Sequence, residues 1–387
     1  MRWLGATVAA LLLLWAVSLA FARKQVHQAA ELEASDLSVA RDERTIVLVG
    51  DIMTWDRTAR ALEQWGANYP FVAVAPLLAS GDLTVGNLEG PIAEQAKQRP
   101  GRFSYRVPPW TLKGLRWAGF DLVSLANNHV ADCGDVGVLE TLRHLSRAGI
   151  GAFGAGRTAA EARQPAVLQV GEVRVAFCGM VAAETTIYEW QGEPRPATLR
   201  RLKRQAEQQL AARPDRPGAA LATEEQVERA VRAARETADV VVLYVHWGVR
   251  YHRAPTRFQR RVGRAAISAG ADLVVGHHAH FWQPVELYQN RAIVYGVGNF
   301  AFGSNNRRAD EALLVRAVLR GRRLVRVELF PLYTKNRDPA VHYQPKLLRG
   351  ATADWMLARL VAESKEHGTE LRIAADPPRA VLGLPAD

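Results

Sequence analysis

Three imidazoles fall within four residues in Gly276-His277-His278-Ala279-His280, directly after the apolar run Leu273 to Val275. Neutral imidazole is the commonest metal-binding side chain, and an apolar strand ending in imidazoles holds them rigidly at the rim of an open cleft. The same arrangement recurs along the chain. Val47 to Gly50 leads to Asp51, Leu83 to Leu88 leads to Glu89, and Leu122 to Ala126 leads to Asn127-Asn128-His129. Val240 to Val245 leads to His246, and Tyr295 to Gly298 leads to Asn299. Each alone has an ordinary explanation: an Asp after a strand more often caps a helix, and a lone buried His is usually a hydrogen-bonded core residue. Together they bring mixed oxygen and nitrogen donors to successive strand exits, a set that suits Mn, Zn or Fe better than Mg or Ca. The supply of donors also fits two ions about 3.5–4 Å apart that share a bridging carboxylate and a water. The expected chemistry is metal-dependent hydrolysis.

Such exits need strands, and the hydrophobic pattern supplies them. Thr45 to Val49, Leu83 to Val85, Leu122 to Leu125, Val240 to Val245 and Leu273 to Val275 read as strands. Val240 to Val245 is wholly apolar, as a strand covered on both faces should be. Helical patterns alternate with them over Arg57 to Trp65, Phe71 to Ala79, Trp110 to Ala118, Val136 to Ala148, Thr223 to Thr237 and Phe258 to Ala269. Hairpins are expected around Gly171-Glu172, Asn290-Arg291 and Gly321. Arg195 to Ala220 reads as an inserted helix and loop, and a last helix is expected at Ala353 to Glu363. A three-layer sandwich and a two-sheet, four-layer sandwich both fit this α/β order, and ligands in such folds gather beyond the carboxyl ends of the strands.

The chain has 387 residues, 48% of them hydrophobic, enough for one large domain or two ordinary ones. Its formal charge of +11 points to anionic partners, although an arginine-rich solvated surface would give the same figure. The densest basic run is Arg200-Arg201-Leu202-Lys203-Arg204. The two cysteines, Cys133 and Cys178, form no CxxC pair, so neither a zinc knuckle nor a disulfide framework is indicated. Trp3 to Ala22 carries no charge and could span a bilayer, while Ala20-Phe21-Ala22 also fits a signal-peptidase site. The expectation is a membrane anchor or signal peptide at 1–24, a linker at 25–44, a catalytic-type domain at 45–332 and a C-terminal extension at 333–387. The domain would then face the periplasm or cell exterior, or be secreted if cleaved after Ala22.

Gly50-Asp51-Ile52-Met53, Asn87-Leu88-Glu89-Gly90-Pro91-Ile92, Asn127-Asn128-His129-x-x-Asp132-x-Gly134, His246-Trp247-Gly248, Gly276-His277-His278-x-His280 and Gly298-Asn299-Phe300 occur in this order. The ordered set resembles the CapA family of poly-γ-glutamate capsule synthesis proteins, which is similar in fold to the calcineurin-like metallophosphoesterases. The resemblance covers roughly Thr45 to Leu332. It implies an α/β sandwich of two β-sheets flanked by helices. It also implies Asp51, Glu89, Asn128, His246, His278 and His280 as ligands of a divalent metal, with two ions expected and Glu89 in the bridging place. His277 is the alternative to His278. His129 would be the general acid that protonates the leaving group. Asn127, Asp132, Arg250, Tyr251, His277 and Asn299 would lie behind the ligands or against substrate.

Two departures from the pattern matter. Met53 stands where metallophosphoesterases have a histidine, and a thioether is a poor partner for a hard ion, which weakens the first metal site. Arg250 stands where the family often has Glu; a guanidinium there could clamp a phosphate or carboxylate, or be an ordinary surface residue. The implied function is hydrolysis or transfer at a phosphoester or γ-glutamyl amide, with an anionic polymer such as poly-γ-glutamate as substrate. The alternative is a non-catalytic, membrane-anchored partner of a poly-γ-glutamate synthase that binds polymer. No Walker loop, Gly-x-Ser-x-Gly elbow or nucleic-acid module is present in the sequence, so neither an ATP-consuming ligase nor a nucleic-acid partner is expected.

Overall fold

A computed structural model describes residues 37–100, 104–186, 195–303, 310–336, 338 and 341–385. The expected anchor at Trp3 to Ala22 lies outside the described residues, and among those described no helix is long and apolar enough to cross a membrane.

In chain order the strands are β1 (Glu43–Met53), β2 (Leu83–Leu88), β3 (Leu122–Ser124), β4 (Gly151–Phe153), β5 (Ala155–Gly156) and β6 (Ala166–Val170). Then come β7 (Val173–Val181), β8 (Gly218–Ala219), β9 (Val240–His246), β10 (Leu273–His277), β11 (Trp282–Tyr288) and β12 (Arg291–Val297). The last are β13 (Asn299–Phe302), β14 (Glu311–Arg320), β15 (Arg323–Tyr333), β16 (Lys346–Leu347), β17 (Arg372–Ala374) and β18 (Arg379–Gly383). One sheet runs β17-β18-β15-β14-β1-β2-β3-β4, with β13 beside the end of β1 and β16 beside β15. The other runs β11-β12-β10-β9-β7-β6, and β5 pairs only with β8. The chain is thus mixed α/β, with β1 to β4 parallel, β14, β15 and β18 antiparallel, and helices on the outside.

Period-two alternation explains the layering. Ile46 and Leu48 of β1 join Val242 and Tyr244 of β9 in an apolar layer between the sheets. The intervening Val47 and Val49 pack outward with Phe71, Leu115 and Leu145. On the second sheet Val241, Leu243 and Val245 pack outward with Val227, Val231 and Val262 of the helices Glu224–Arg235 and Arg257–Ser268. Those helices start as their sequences dictate. Thr223 accepts the Gln226 amide, and Thr256 and Gln259 form a capping box. Of the two architectures the sequence allowed, the two-sheet, four-layer one is present.

Several local expectations are corrected. The predicted helices at Phe71 to Ala79 and Trp110 to Ala118 begin as 3-10 turns, at Tyr69–Val74 and Pro109–Thr111, before short α segments. The β11–β12 turn is Gln289-Asn290, one residue earlier than expected, and both residues have positive φ, as a twist-matched two-residue hairpin requires. Beyond Pro331 the chain is more regular than its pattern suggested. The helix Gly350–Lys365 puts Ala353, Met356, Leu357 and Leu360 into the layer between the sheets, and β17 and β18 extend the first sheet beside it. Cys133 and Cys178 are both buried free thiols.

Candidate metal centre

The backbone of β1 decides where Asp51 points. Residues 46 and 48 face the second sheet, so simple alternation would turn residue 51 toward the helices. Instead β1 carries one extra residue: Leu48 pairs with Val85, but Asp51 pairs with Asn87. A bulge of this kind shifts the alternation by one and turns Asp51 inward. Gly50 permits it, because a Cβ there would lie 1.9 Å from the Gly298 carbonyl oxygen, the group that accepts the Asp51 N–H at 3.1 Å. The Val49 carbonyl accepts the Tyr244 hydroxyl and so ties the first sheet to the second. On the second sheet Tyr244 and Val275 face inward, and His246 and His277 follow two residues later in the same phase. Asp51, Asn87, His246 and His277 therefore form a buried polar layer that caps the apolar one.

Past β10 the chain turns through His278 and His280 with φ of +84° and +55°. Non-glycine residues in that region cost about 1–3 kcal/mol each and persist where surrounding structure imposes them, commonly at functional sites. Gly276 lets β10 enter this turn against β12, since a Cβ would lie 2.0 Å from the Tyr295 carbonyl oxygen. Tyr251, with φ of +59°, donates its amide to the Ala279 carbonyl at 2.8 Å and lays its ring 5.5 Å from that of His280.

Among the described residues two groups of side chains could each hold a metal ion: Glu89, His246 and His278, and Asp51, Glu89 and His280. Within each, one donor atom per residue lies within 4.8 Å of the others, and Glu89 belongs to both. His246 Nε2 is 2.7 Å from Asn128 Oδ1, 3.0 Å from His278 Nδ1 and 3.6 Å from a Glu89 oxygen. His280 Nδ1 is 2.7 Å from Asn299 Oδ1 and 3.5 Å from Asp51. Glu89 is fully buried, and neither of its carboxylate oxygens has a hydrogen-bond partner among the described residues. An uncompensated buried carboxylate is costly, and a cation held between these donors removes the cost. The donor set fits a divalent transition metal on that ground.

The electrostatics agree. Burial raises the Glu89 carboxyl well above its ordinary range, and the nearby Asp51 charge adds to this, while Arg250 opposes it. Burial would also raise Asp51, but the imidazoles of His277 and His280 outweigh it and hold Asp51 low. Burial pushes His246 and His278 well below the usual imidazole value, so both are neutral and fit to ligate.

His129 stands at the mouth of the same cluster. Its Nδ1 is 2.8 Å from Asp132, its backbone N–H donates to Asn127 Oδ1 at 3.1 Å, and its Nε2 is 3.8 Å from Glu89. The Asp132 carboxylate favours a proton on Nδ1 and leaves Nε2 facing the cluster. The Tyr105 ring packs 4.6 Å from the imidazole.

Of the residues expected from the sequence, Asp51, Glu89, Asn128, His246, His278 and His280 all converge, and Asn127, Asp132, Tyr251 and Asn299 stand directly behind or beside them. His277 belongs to neither ligand group; it packs 4.2 Å from the Tyr244 ring with Nδ1 3.5 Å from Asp51. Met53 is buried beside Gly90, in register with Phe302. Two contributors went unread. Asn87 donates to Asp51 at 2.8 Å and lies 3.2 Å from His246 Nδ1; its place two residues before Glu89 was the available signal. Glu184 accepts the Gly248 N–H at 2.7 Å and the Thr256 hydroxyl, pinning both ends of the stretch that carries Arg250 and Tyr251. Nothing in its sequence context marks it.

The bacterial capsule synthesis protein family PGA_cap matches residues 45–304. The capsule biosynthesis protein CapA of Bacillus anthracis is 29% identical over 306 residues, covering 77% of this chain and 69% of its own. The PGA biosynthesis protein CapA of Bacillus subtilis (strain 168) is 30% identical over 337 residues, covering 84% of this chain and 83% of its own. A probable polyglutamine synthesis accessory protein of Mycobacterium tuberculosis is 32% identical over 228 residues, covering 56% of this chain and 55% of its own.

Proposed function

Because this chain belongs to the bacterial capsule synthesis protein family PGA_cap, we propose that it is a metal-dependent hydrolase or transferase of capsule or poly-γ-glutamate biosynthesis, on a sandwich of calcineurin-like metallophosphoesterase type. The observation that carries this reading is Glu89, a buried carboxylate without a hydrogen-bond partner that is common to both candidate ligand groups. Asn128, His246 and His278 would hold one ion, and Asp51 and His280 the other, with Glu89 shared between them. Bound Mn, Zn or Fe would polarise the scissile phosphoryl or carbonyl group and make a water nucleophilic at neutral pH.

The chain's own residues do the rest. Asn87 and His277 hold the Asp51 carboxylate from the side away from the cleft. His129, oriented by Asp132 through Nδ1, presents Nε2 to the cleft and, when both ring nitrogens are protonated, would give the Nε2 proton to the leaving oxygen or nitrogen. Burial of the cluster excludes bulk water and strengthens each charge interaction in it. Arg250, whose charge acts on Glu89 and His278, would hold an anionic group of the substrate. The substrate would be an anionic polymer such as poly-γ-glutamate, and membrane synthase subunits would be its partners. The uncharged stretch Trp3 to Ala22 supports a position at the cell envelope, as an anchored or exported protein.

Metal analysis of the purified full-length protein, followed by hydrolysis assays on phosphodiesters and γ-glutamyl polymers, tests the reading. One to two transition-metal ions per chain and turnover that His129→Ala abolishes are expected. A protein that binds no transition metal, or hydrolysis indifferent to that substitution, overturns it. The second reading, a non-catalytic polymer-binding partner of a synthase, draws on Met53, which leaves the Asp51 side without the imidazole that metallophosphoesterases place there.

A further inference from the structure

The helix Pro196–Gln209 carries a dense run of exposed cations. On the helix Glu224–Arg235 the exposed Arg229 and Arg232 pair with Glu225 and Glu228 one turn away. On this helix Arg200, Arg201, Lys203 and Arg204 are all exposed, and none forms an ion pair among the described residues. Between Arg195 and Arg216 seven basic side chains face two acidic ones, so this short stretch supplies much of the net charge of +11. Lys203 also lines a neighbouring cavity of about 370 Å³ whose wall carries Arg163 and Arg213 together with Glu207 and Glu225.

The helix is also well placed. It packs against residues 183–186, and Glu184 of that segment holds Gly248, two residues past the candidate ligand His246. Cations with no ion pair among the described residues thus stand on a helix packed against the segment whose Glu184 holds Gly248.

We propose that this helix is a docking surface for a flexible polycarboxylate chain and guides it toward the cleft; this rests on the reading of the cleft given above. Its chemistry selects the occupant. Leu202, Ala206 and Leu210 are buried in the protein, and Leu199 alone is a large exposed apolar side chain on the helix, too little to make a lipid-entering face. The sequence from Arg195 to Pro217 contains no aromatic residue on which bases could stack. Four solvated cations on a convex face suit a repeating, mobile anion, which gains by many weak contacts what a single carboxylate cannot.

The test uses the full-length protein and labelled γ-linked polyglutamate, with a γ-glutamyl dimer and phosphatidylglycerol vesicles as comparison probes. R200Q/R201Q/K203Q/R204Q should weaken polymer binding about tenfold or more and flatten its salt dependence, because fewer counterions are exchanged. Dimer binding and metal content should not change. R200K/R201K/R204K should keep wild-type polymer affinity, and R229Q/R232Q, which removes paired cations, should keep it too. Undiminished polymer binding in the quadruple variant overturns the proposal, as does an equal loss in R229Q/R232Q or a variant defect seen with vesicles and not with polymer. These are equilibrium measurements, so failure of the metal or hydrolysis assays refutes the catalytic reading and leaves the docking result to stand or fall alone.

Discussion

On the outer face of the first sheet, Arg316 of β14 is 1% exposed and donates to Glu328 at 2.6 Å and to the Leu37 carbonyl at 2.7 Å. Arg326 takes the other Glu328 oxygen and both oxygens of Glu43, which Arg320 and the Ala40 amide also reach. Every oxygen of these two buried carboxylates accepts a hydrogen bond from the chain itself. At the carboxyl ends of the strands, on the inner face of the same sheet, Glu89 has no such partner. Both regions bury carboxylates. One is closed by arginines within the fold, and the other leaves both Glu89 oxygens without a hydrogen bond from any described residue. That difference separates a cluster satisfied within the fold from one whose donors could hold a metal ion.

The sharpest way to break the comparison is chemical. Under the proposed activity, His129→Ala should lower turnover about 10²–10⁴-fold with metal content unchanged, read by steady-state assay and metal analysis. Next comes stability. Glu328→Gln should cost about 3–5 kcal/mol in denaturant unfolding, because it strands a buried arginine, while bound metal stays the same. Glu89→Gln should do the reverse: the metal-free protein is as stable as wild type or more so, and metal binding is lost. If both substitutions destabilise the metal-free protein alike, the distinction fails. A smaller effect is expected at Asn87→Ala, about 10–100-fold in metal affinity by competition with a chelator, since Asn87 supports Asp51 rather than ligating.

The smallest effect is on pH. Burial raises Glu89 above its ordinary range in the metal-free protein, so a proton must leave when metal binds. His246 and His278, lowered by burial, are already neutral and add none. Metal affinity should therefore weaken as pH falls, and calorimetry in buffers of different ionisation enthalpy should detect a released proton that disappears in Glu89→Gln.

Most of the candidate cluster was legible in the sequence as donor side chains at strand exits, because the strands that deliver it are buried on both faces; its sorting into ligands came from the family resemblance. Val240 to Val245 and Leu273 to Val275 have no polar residue to blur their ends, so His246 and His277 stand out as their exits. The direction of Asp51 was not legible. It depends on a single inserted residue, and period-two reasoning points it to the wrong face. Asn87 was passed over because a small amide inside a strand looks like an interruption of the pattern rather than a support for a carboxylate. The three imidazoles of the second sheet could not be sorted by pattern, since His278 and His280 are aimed by left-handed backbone that sequence spacing does not reveal. Beyond Pro331 the short, charge-flanked strands β17 and β18 have too few apolar residues to be read alone, and their existence depends on the first sheet offering β15 as a partner.

The Tyr244 hydroxyl, bonded to the Val49 carbonyl, links the two sheets immediately beneath the ligands. Because Asp51 and Glu89 arrive from one sheet and His246, His278 and His280 from the other, the cluster spans a joint between two independently hydrogen-bonded slabs. Its bite therefore depends on how those slabs are held against each other. A substitution deep in the apolar filling, such as Val242→Ala, would be felt at the rim as a change in which ion fits, and Tyr244→Phe would loosen the tie itself.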